Sequence, residues 1–234
     1  MTNDRKEIFS AAGLTEYIRE VGFLPLLDSG IRGFSAEEVI SDDCRYVTFP
    51  DGGWDWPLWK WKGQIVSDGP AMYGKFFDKK AGFVSPEWWG DFCNYRRSVC
   101  QRPEEGSVED TILTVLASEG SMITRDLRRA CGFTEPGMRS RFDAFVTRLQ
   151  MATYVVTEDF VYPRDRRGRE YGWGWALLTT PETLYGQEAC RKDCPPEVSL
   201  ERMTAHMQQV LPHASEKAIR RMLSANRKGW LPEK

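Results

Sequence analysis

The stretch SVEDTILTVLASEGSMITRDLRRACGFTEPGMRSRFDAFVTRLQMATYVVTEDFVYPRDRRGREYGWGWALLTT, from Ser107 to Thr180, decides the fold. Ser107 predicts a helix cap ahead of Ile112, Leu113, Val115 and Leu116, and Gly120 predicts its stop. Thr124 reads as the cap of a second, shorter helix carrying Leu127 and Ala130, which ends at Cys131 and Gly132. Pro136 then opens a third helix, whose Met138, Phe142, Phe145, Val146 and Leu149 form one apolar stripe. Two β-branched and aromatic runs follow, Ala152 to Tyr162 and Tyr171 to Thr180, separated by the charged turn from Pro163 to Glu170. Three helices followed directly by a hairpin predict a winged helix-turn-helix.

The polar stretch QRPEEGS before this block reads as a linker, and Pro195-Pro196 as a second break. The expected organisation is a Trp-rich, winged-helix-like block over 1–100, a linker over 101–106, the winged unit over 107–181 and a helical block over 182–234. In the first block, Leu14 to Val21 and Ser35 to Ile40 read as short helices. Ala71 to Phe77 and Ala81 to Ser85 read as strands around Asp78-Lys79-Lys80, and Ser85-Pro86-Glu87 opens a helix through Trp88, Trp89, Phe92 and Tyr95. In the last block, Leu200 to Leu211 and Ser215 to Asn226 read as helices. The fold class is therefore α+β, tandem winged helix-turn-helix units with a C-terminal helical segment.

Composition narrows the function. The chain has 234 residues, 41% hydrophobic and 12% aromatic, enough for a substantial core. A formal charge of -2 selects no partner by bulk attraction, so any charged site is local. No apolar run reaches the ~18 residues a spanning helix needs, and Asp4, Glu7, Glu16 and Glu20 interrupt what would be a signal peptide's apolar core. The expectation is a cytoplasmic protein without membrane contact. With His206 and His213 the only histidines, a His-based metal triad or a Ser/His/Asp relay has little to draw on. No phosphate loop, dinucleotide fingerprint, HExxH or GxSxG motif occurs, so no nucleotide cofactor or other cofactor is expected.

The six cysteines read as reduced thiols in a chain of this size with no export signal. Cys190-x3-Cys194 followed by His206 and His213 imitates a zinc finger, but both gaps miss the usual ranges and Pro212 would break a ligand helix. No metal site is assigned.

Two constellations carry candidate function. Arg164, Arg166, Arg167 and Arg169 crowd a hairpin tip beside only Asp165 and Glu170, which suits a phosphate backbone. The preceding helix adds Arg139, Arg141 and Arg148. The competing reading is a solvated loop on a protein-docking domain. The C-terminal basic residues Lys217, Arg220, Arg221, Arg227, Lys228 and Lys234 read as a solvated helix face. Nine tryptophans are many, and Trp54, Trp56, Trp59, Trp61, Trp88 and Trp89 fall close together. If extended, the segment puts Trp54 with Trp56, and Trp59 with Trp61, on shared faces. The rings read either as core or, for Trp54, Trp56, Trp59 and Trp88, as platforms for an unpaired base. Asp55, Tyr73, Lys75 and Asp78 are the polar candidates beside them.

The strings GFLPLLDSGIRGFS (Gly22 to Ser35), MYGKFFDKKAGFVSPEW (Met72 to Trp88), NYRR (Asn94 to Arg97), LQMATYVV (Leu149 to Val156) and REYGWGWALLTTPETLYG (Arg169 to Gly186) resemble the AlkZ-related proteins of bacteria, distant relatives of the AlkZ DNA glycosylases. The likeness runs from about Leu14 to Gly186. It implies tandem winged-helix units and, in the parent enzymes, wrapping of duplex DNA and excision of alkylated or crosslinked bases. Those enzymes place glutamine, an apolar residue, then aspartate or glutamine after a Gly-Leu-Leu run to position and activate water. In the matching run Gly22 to Asp28, Pro25 and Leu27 take the two polar positions, and neither side chain can orient or deprotonate water. Asp28 lies one residue beyond.

These observations predict a DNA-binding protein in repair or regulation, with double-stranded DNA contacted through Arg139, Arg141, Arg164, Arg166, Arg167 and Arg169. Two alternatives stay open. One is an active glycosylase hydrolysing N-glycosidic bonds, with Asp28, Asp55 and Asp78 as candidate catalytic carboxylates. The other is a protein-interaction scaffold that never touches nucleic acid.

Overall fold

The structure, a computed structural model, describes residues 7–28, 30–170 and 172–225. The chain begins with α1 (Ala11–Val21), β1 (Phe23–Pro25) and α2 (Ala36–Val39). A small ribbon of β2 (Val47–Thr48) and β3 (Trp54–Asp55) leads into α3 (Pro57–Asp68), the hairpin β4 (Met72–Phe77) and β5 (Lys80–Val84), and α4 (Pro86–Val99). The central segment comprises α5 (Val108–Glu119), β6 (Met122–Ile123), α6 (Thr124–Ala130), α7 (Met138–Met151), β7 (Val156–Val161) and β8 (Trp175–Thr179). It ends with α8 (Pro181–Tyr185), α9 (Pro196–Val210) and α10 (Glu216–Leu223). None of the described helices is long and apolar enough to cross a membrane.

One order of elements occurs twice. Helix, short strand, helix, helix and hairpin describe α1-β1-α2-α3-β4-β5 and again α5-β6-α6-α7-β7-β8, with the β2–β3 ribbon inserted in the first. The sheets match as well: both are antiparallel, in orders β1-β5-β4 and β6-β8-β7, so each short strand pairs with the second strand of its hairpin. In the first sheet, Gly82 faces both Pro25 and Gly74. A Cβ at Gly82 would stand 2.7 Å from the Leu24 carbonyl oxygen and 2.5 Å from the Phe77 ring, so close approach of the strands requires glycine there. Pro25 lies in β1, an edge strand of its sheet, where a missing N–H is tolerated.

Local chemistry explains most boundaries. The hydroxyl of Ser10 accepts from Gly13 N at 3.1 Å, and that of Ser107 from Asp110 N at 3.2 Å. Pro86 stands at the start of α4, and Gly120, with φ 78°, ends α5. Four expectations need correction. Trp59 and Trp61 lie on α3, not on an extended segment, because Pro57 starts a helix whose buried stripe is Leu58, Lys62, Ile65 and Val66. A lysine in that stripe hides its periodicity. Thr124 is the first residue of α6 and not its cap; its hydroxyl donates to Ala176 O at 3.2 Å. Pro136 precedes α7, whose cap is Gly137 at φ 85°. Pro195-Pro196, read as a break, is the entry to α9, and Asn226 lies outside the described residues.

Two large apolar clusters hold the molecule. Ile112, Leu116, Leu127, Phe142, Leu149 and Leu178 form the core of the central segment. Leu14, Phe23, Phe76, Phe83 and Trp89 join Met203, Met207, Ile219 and Leu223 of the last two helices in the other. Arg96, fully buried on α4, links the parts: Nε donates to Leu223 O (2.6 Å), Nη1 to Met151 O (2.8 Å) and Nη2 to Phe76 O (2.8 Å). Arg97 extends the junction, donating to Thr153 O at 2.8 Å and to Glu182 Oε1 at 2.6 Å.

Candidate nucleic-acid interface and the aromatic cleft beside it

The loop between β7 and β8 is organised by one carboxylate. Asp165 Oδ1 accepts from Arg167 N (2.8 Å) and Arg169 N (3.0 Å), while Gly168, at φ 76°, closes the turn. Hydrogen bonds from the Arg169 and Arg167 amides and from the Arg169 guanidinium hold the Asp165 carboxyl below its ordinary range despite some desolvation. Two of the four loop arginines have acidic partners: Arg164 meets Glu170 at 3.1 Å and Arg169 meets Asp165 at 3.0 Å. Both guanidiniums stay about 70% exposed, and surface pairs of this kind contribute only ~0–1 kcal/mol, so an incoming phosphate can compete for them. Arg166 and Arg167 are exposed, with no ion-pair partner among the described residues.

The arginines of α7 divide. Arg141 is exposed and Arg139 is 81% exposed, 3.8 Å from Asp143. Arg148 is different: its Nε donates to Glu109 Oε1 at 2.9 Å and its guanidinium lies over the Phe145 ring at 4.4 Å. It joins α7 to α5 and is withdrawn from the basic set. Two arginines that the spacing did not single out belong near Arg139. Arg125 and Arg128 of α6 line a small hollow of about 190 Å³ with Arg139 and Trp175, and the Arg125 guanidinium lies 5.0 Å from the Trp175 ring centre. The signal was the RDLRR string on the second helix.

The same β7–β8 loop forms one wall of a larger cleft of about 510 Å³. Trp54, Trp56, Trp59 and Gln64 come from β3 and α3; Phe160, Tyr162, Glu170 and Trp173 come from the hairpin. The rings pack on one another, Trp54 against Trp173 at 5.5 Å and 26°, Trp56 against Trp59 at 5.3 Å and 23°, and Trp173 edge-on to Trp59 at 5.1 Å. Trp54 and Trp173 remain 51% and 52% exposed. The sequence does not single out Trp173, because only the folded hairpin brings it to α3. Trp88 is elsewhere: it stacks on His206 at 4.5 Å and lies 5.9 Å from Phe23, outside the cleft. Trp89 is core.

Of the polar candidates, only Asp55 lines the aromatic cleft, where its hydrogen bond to Lys60 at 2.7 Å is the main cause holding its carboxyl down. Asp159 and Glu170 are further carboxylates there. Tyr73 is buried against Phe83 and Phe160, and burial pushes its phenol up. Lys75 packs on α7, its Nζ 3.3 Å from Thr147 Oγ1. Asp28 and Asp78 meet in a separate cleft of about 340 Å³ with Lys80, Lys217 and Arg221. Asp28 accepts from Gly30 N at 2.9 Å and faces Lys80 Nζ at 3.5 Å; both interactions favour its ionised form, the amide bond more strongly. A carboxylate so stabilised is a weak proton acceptor. Of the other C-terminal cations, Arg220 pairs with Glu216 at 2.6 Å, while Arg227, Lys228 and Lys234 lie outside the described residues.

Lys62 sits behind the cleft wall. It is fully buried, with Nζ 3.3 Å from the Trp59 ring centre and 3.4 Å from that of Phe160, and burial lowers its pKa to about 7. His206 places Nε2 3.1 Å from Val21 O. Among the described residues no group of three His, Cys, Asp or Glu could hold a metal ion.

A model of the AlkZ-related family matches residues 8–224. Among solved structures, the DNA glycosylase AlkZ of Streptomyces sahachiroi superposes with a TM-score of 0.51 at 10% identity, covering 94% of this chain and 60% of that one. The likeness is one of fold, and the chain spans about three fifths of the length of that enzyme. No curated protein matches the chain.

Proposed function

Because the chain belongs to the AlkZ-related family, we propose that it binds double-stranded DNA through two winged-helix units, in repair or regulation, without the family enzymes' chemistry. The repeated order α1-β1-α2-α3-β4-β5 and α5-β6-α6-α7-β7-β8, each with its hairpin as wing, supports the architecture. The β7–β8 loop carries the assignment: Arg166 and Arg167 are exposed with no acidic partner among the described residues, and Arg164 and Arg169 have only exchangeable ones. Phosphates would be met by this loop, with Arg139 and Arg141 of α7 added from the recognition-helix position. The resemblance sets Pro25 and Leu27 against the two polar positions of the glycosylases, and neither side chain can activate water, which supports a reading without that chemistry.

The test is duplex titration at low and moderate salt. Counterion release makes log K fall steeply with log salt for a protein on phosphates, whereas a protein-interaction scaffold gives no binding at either salt. Absence of binding at low salt overturns the proposal.

One observation favours a second reading. An exposed tryptophan pair beside a phosphate-binding loop is placed to stack on an unpaired base, as base excision requires. Abasic-site formation on alkylated duplexes would establish that activity. None is expected, since Asp55 is held ionised chiefly by Lys60, and Asp28 by the Gly30 amide and then by Lys80.

A further inference from the structure

The buried thiols of Cys93 and Cys190 come from distant parts of the chain. Cys93 lies on α4 with no exposed surface; Cys190 ends the 3-10 turn Gln187–Cys190 and is 7% exposed. Both thiols line one open hollow of about 790 Å³, together with Arg97, Arg191 and Lys192, and the two segments that carry them pack on each other. The Arg97 guanidinium acts on both sulfurs. The other cysteines have different surroundings. Cys194 lies 3.4 Å from Ser199 Oγ, Cys44 4.0 Å from Phe9 O, and Cys100 packs with Met151 and Ala152.

We propose that Cys93 and Cys190 are a peroxide-reactive dithiol, with Cys190 the attacking sulfur and Cys93 the resolving one. The assignment of roles follows from their surroundings. The neighbouring Cys93 thiol and then Arg97 favour the Cys190 thiolate against partial burial, whereas full burial pushes the Cys93 thiol up. Cys190 also has the accessible edge on the hollow. Its thiolate attacks the outer oxygen of a hydroperoxide, forming an S–O bond as the O–O bond breaks, and the departing alkoxide leaves as alcohol. Cys93 sulfur then attacks the Cys190 sulfenic acid; the S–S bond forms, the S–O bond breaks, and hydroxide leaves with the Cys93 proton as water. Two thiols are oxidised by two electrons and one hydroperoxide is reduced to alcohol and water. The product joins α4 to the segment after α8, beside the Arg97–Glu182 pair. This proposal does not rest on DNA binding.

The experiment treats the full chain with equimolar tert-butyl hydroperoxide, alkylates remaining thiols and maps peptides by mass spectrometry. The expected result is a single cross-link between the Cys93 and Cys190 peptides, reversed by dithiothreitol, with the remaining cysteines alkylated. In Cys93→Ser, dimedone should label Cys190. The proposal is overturned if both thiols are alkylated after treatment, if the cross-link joins Cys190 to Cys194, or if Cys93 carries the label in Cys190→Ser. The mapping uses the unaltered protein, so it decides the matter even if a variant fails to fold.

Discussion

Arg96 and Lys62 are the two fully buried cations of the described structure, and they are satisfied in opposite ways. Arg96 has three main-chain carbonyls at 2.6–2.8 Å, and burial lowers its pKa only to about 10, so it stays charged at neutral pH. Arg96→Met strands three buried acceptors in three different segments. The expected loss is at least ~3 kcal/mol, read from the urea midpoint. Lys62 has two aromatic faces and no hydrogen-bond acceptor for Nζ among the described residues. With a folded pKa of about 7, the native state binds fewer protons than the unfolded chain between pH 7 and the ordinary lysine value of ~10.4. Stability therefore rises with pH across that window, and below pH 7 the full destabilisation is present. Lys62→Met should be more stable than the parent at pH 7 by a few (~2–4) kcal/mol and lose this part of the slope, checked by denaturation at several pH values. An unchanged difference between the two proteins from pH 7 to 10 would contradict the assignment.

The edge strand β1 reaches its place only because residue 82 lacks a side chain, so Gly82→Ala should separate β1 from β5. A loss of ~1–3 kcal/mol is expected, seen as a lower thermal midpoint. The β7–β8 loop is the opposite case, an element whose arginines contribute little to folding. Arg166→Ala with Arg167→Ala should leave thermal stability within ~0.5 kcal/mol. The same change should reduce the steepness of log K against log salt by ~2 for duplex DNA. A slope equal to the parent's removes the loop from the interface. Arg148→Ala offers the contrast: its partners are Glu109 and Phe145, so stability should fall and the salt slope stay as it was.

In the molecule as a whole, the aromatic cleft exists only where α3 meets the second hairpin, bringing Trp59 to Trp173 from more than a hundred positions away. A single-stranded oligonucleotide should quench tryptophan fluorescence there. Trp54→Ala with Trp173→Ala should weaken that binding by ~10-fold or more, given ~1–3 kcal/mol per stacked base. The order of three helices and a hairpin over 107–180, the Ser107 cap and the glycine stop at 120 were legible in the sequence. Caps, turns and apolar stripes depend on neighbours within about four residues, and that range is printed in the chain itself. α3 was not legible, because a lysine occupies its buried stripe and only a fold that supplies two aromatic faces makes Lys62 tolerable there. Likewise, the sequence could count four arginines at one tip and six clustered tryptophans, but not sort them. Arg148 is taken by Glu109, Trp88 by His206, and Trp173 is carried to α3, through contacts between residues 39 to more than 100 positions apart. Ion pairing and ring stacking act over a few ångströms, so tertiary packing alone decides which charges and rings remain free.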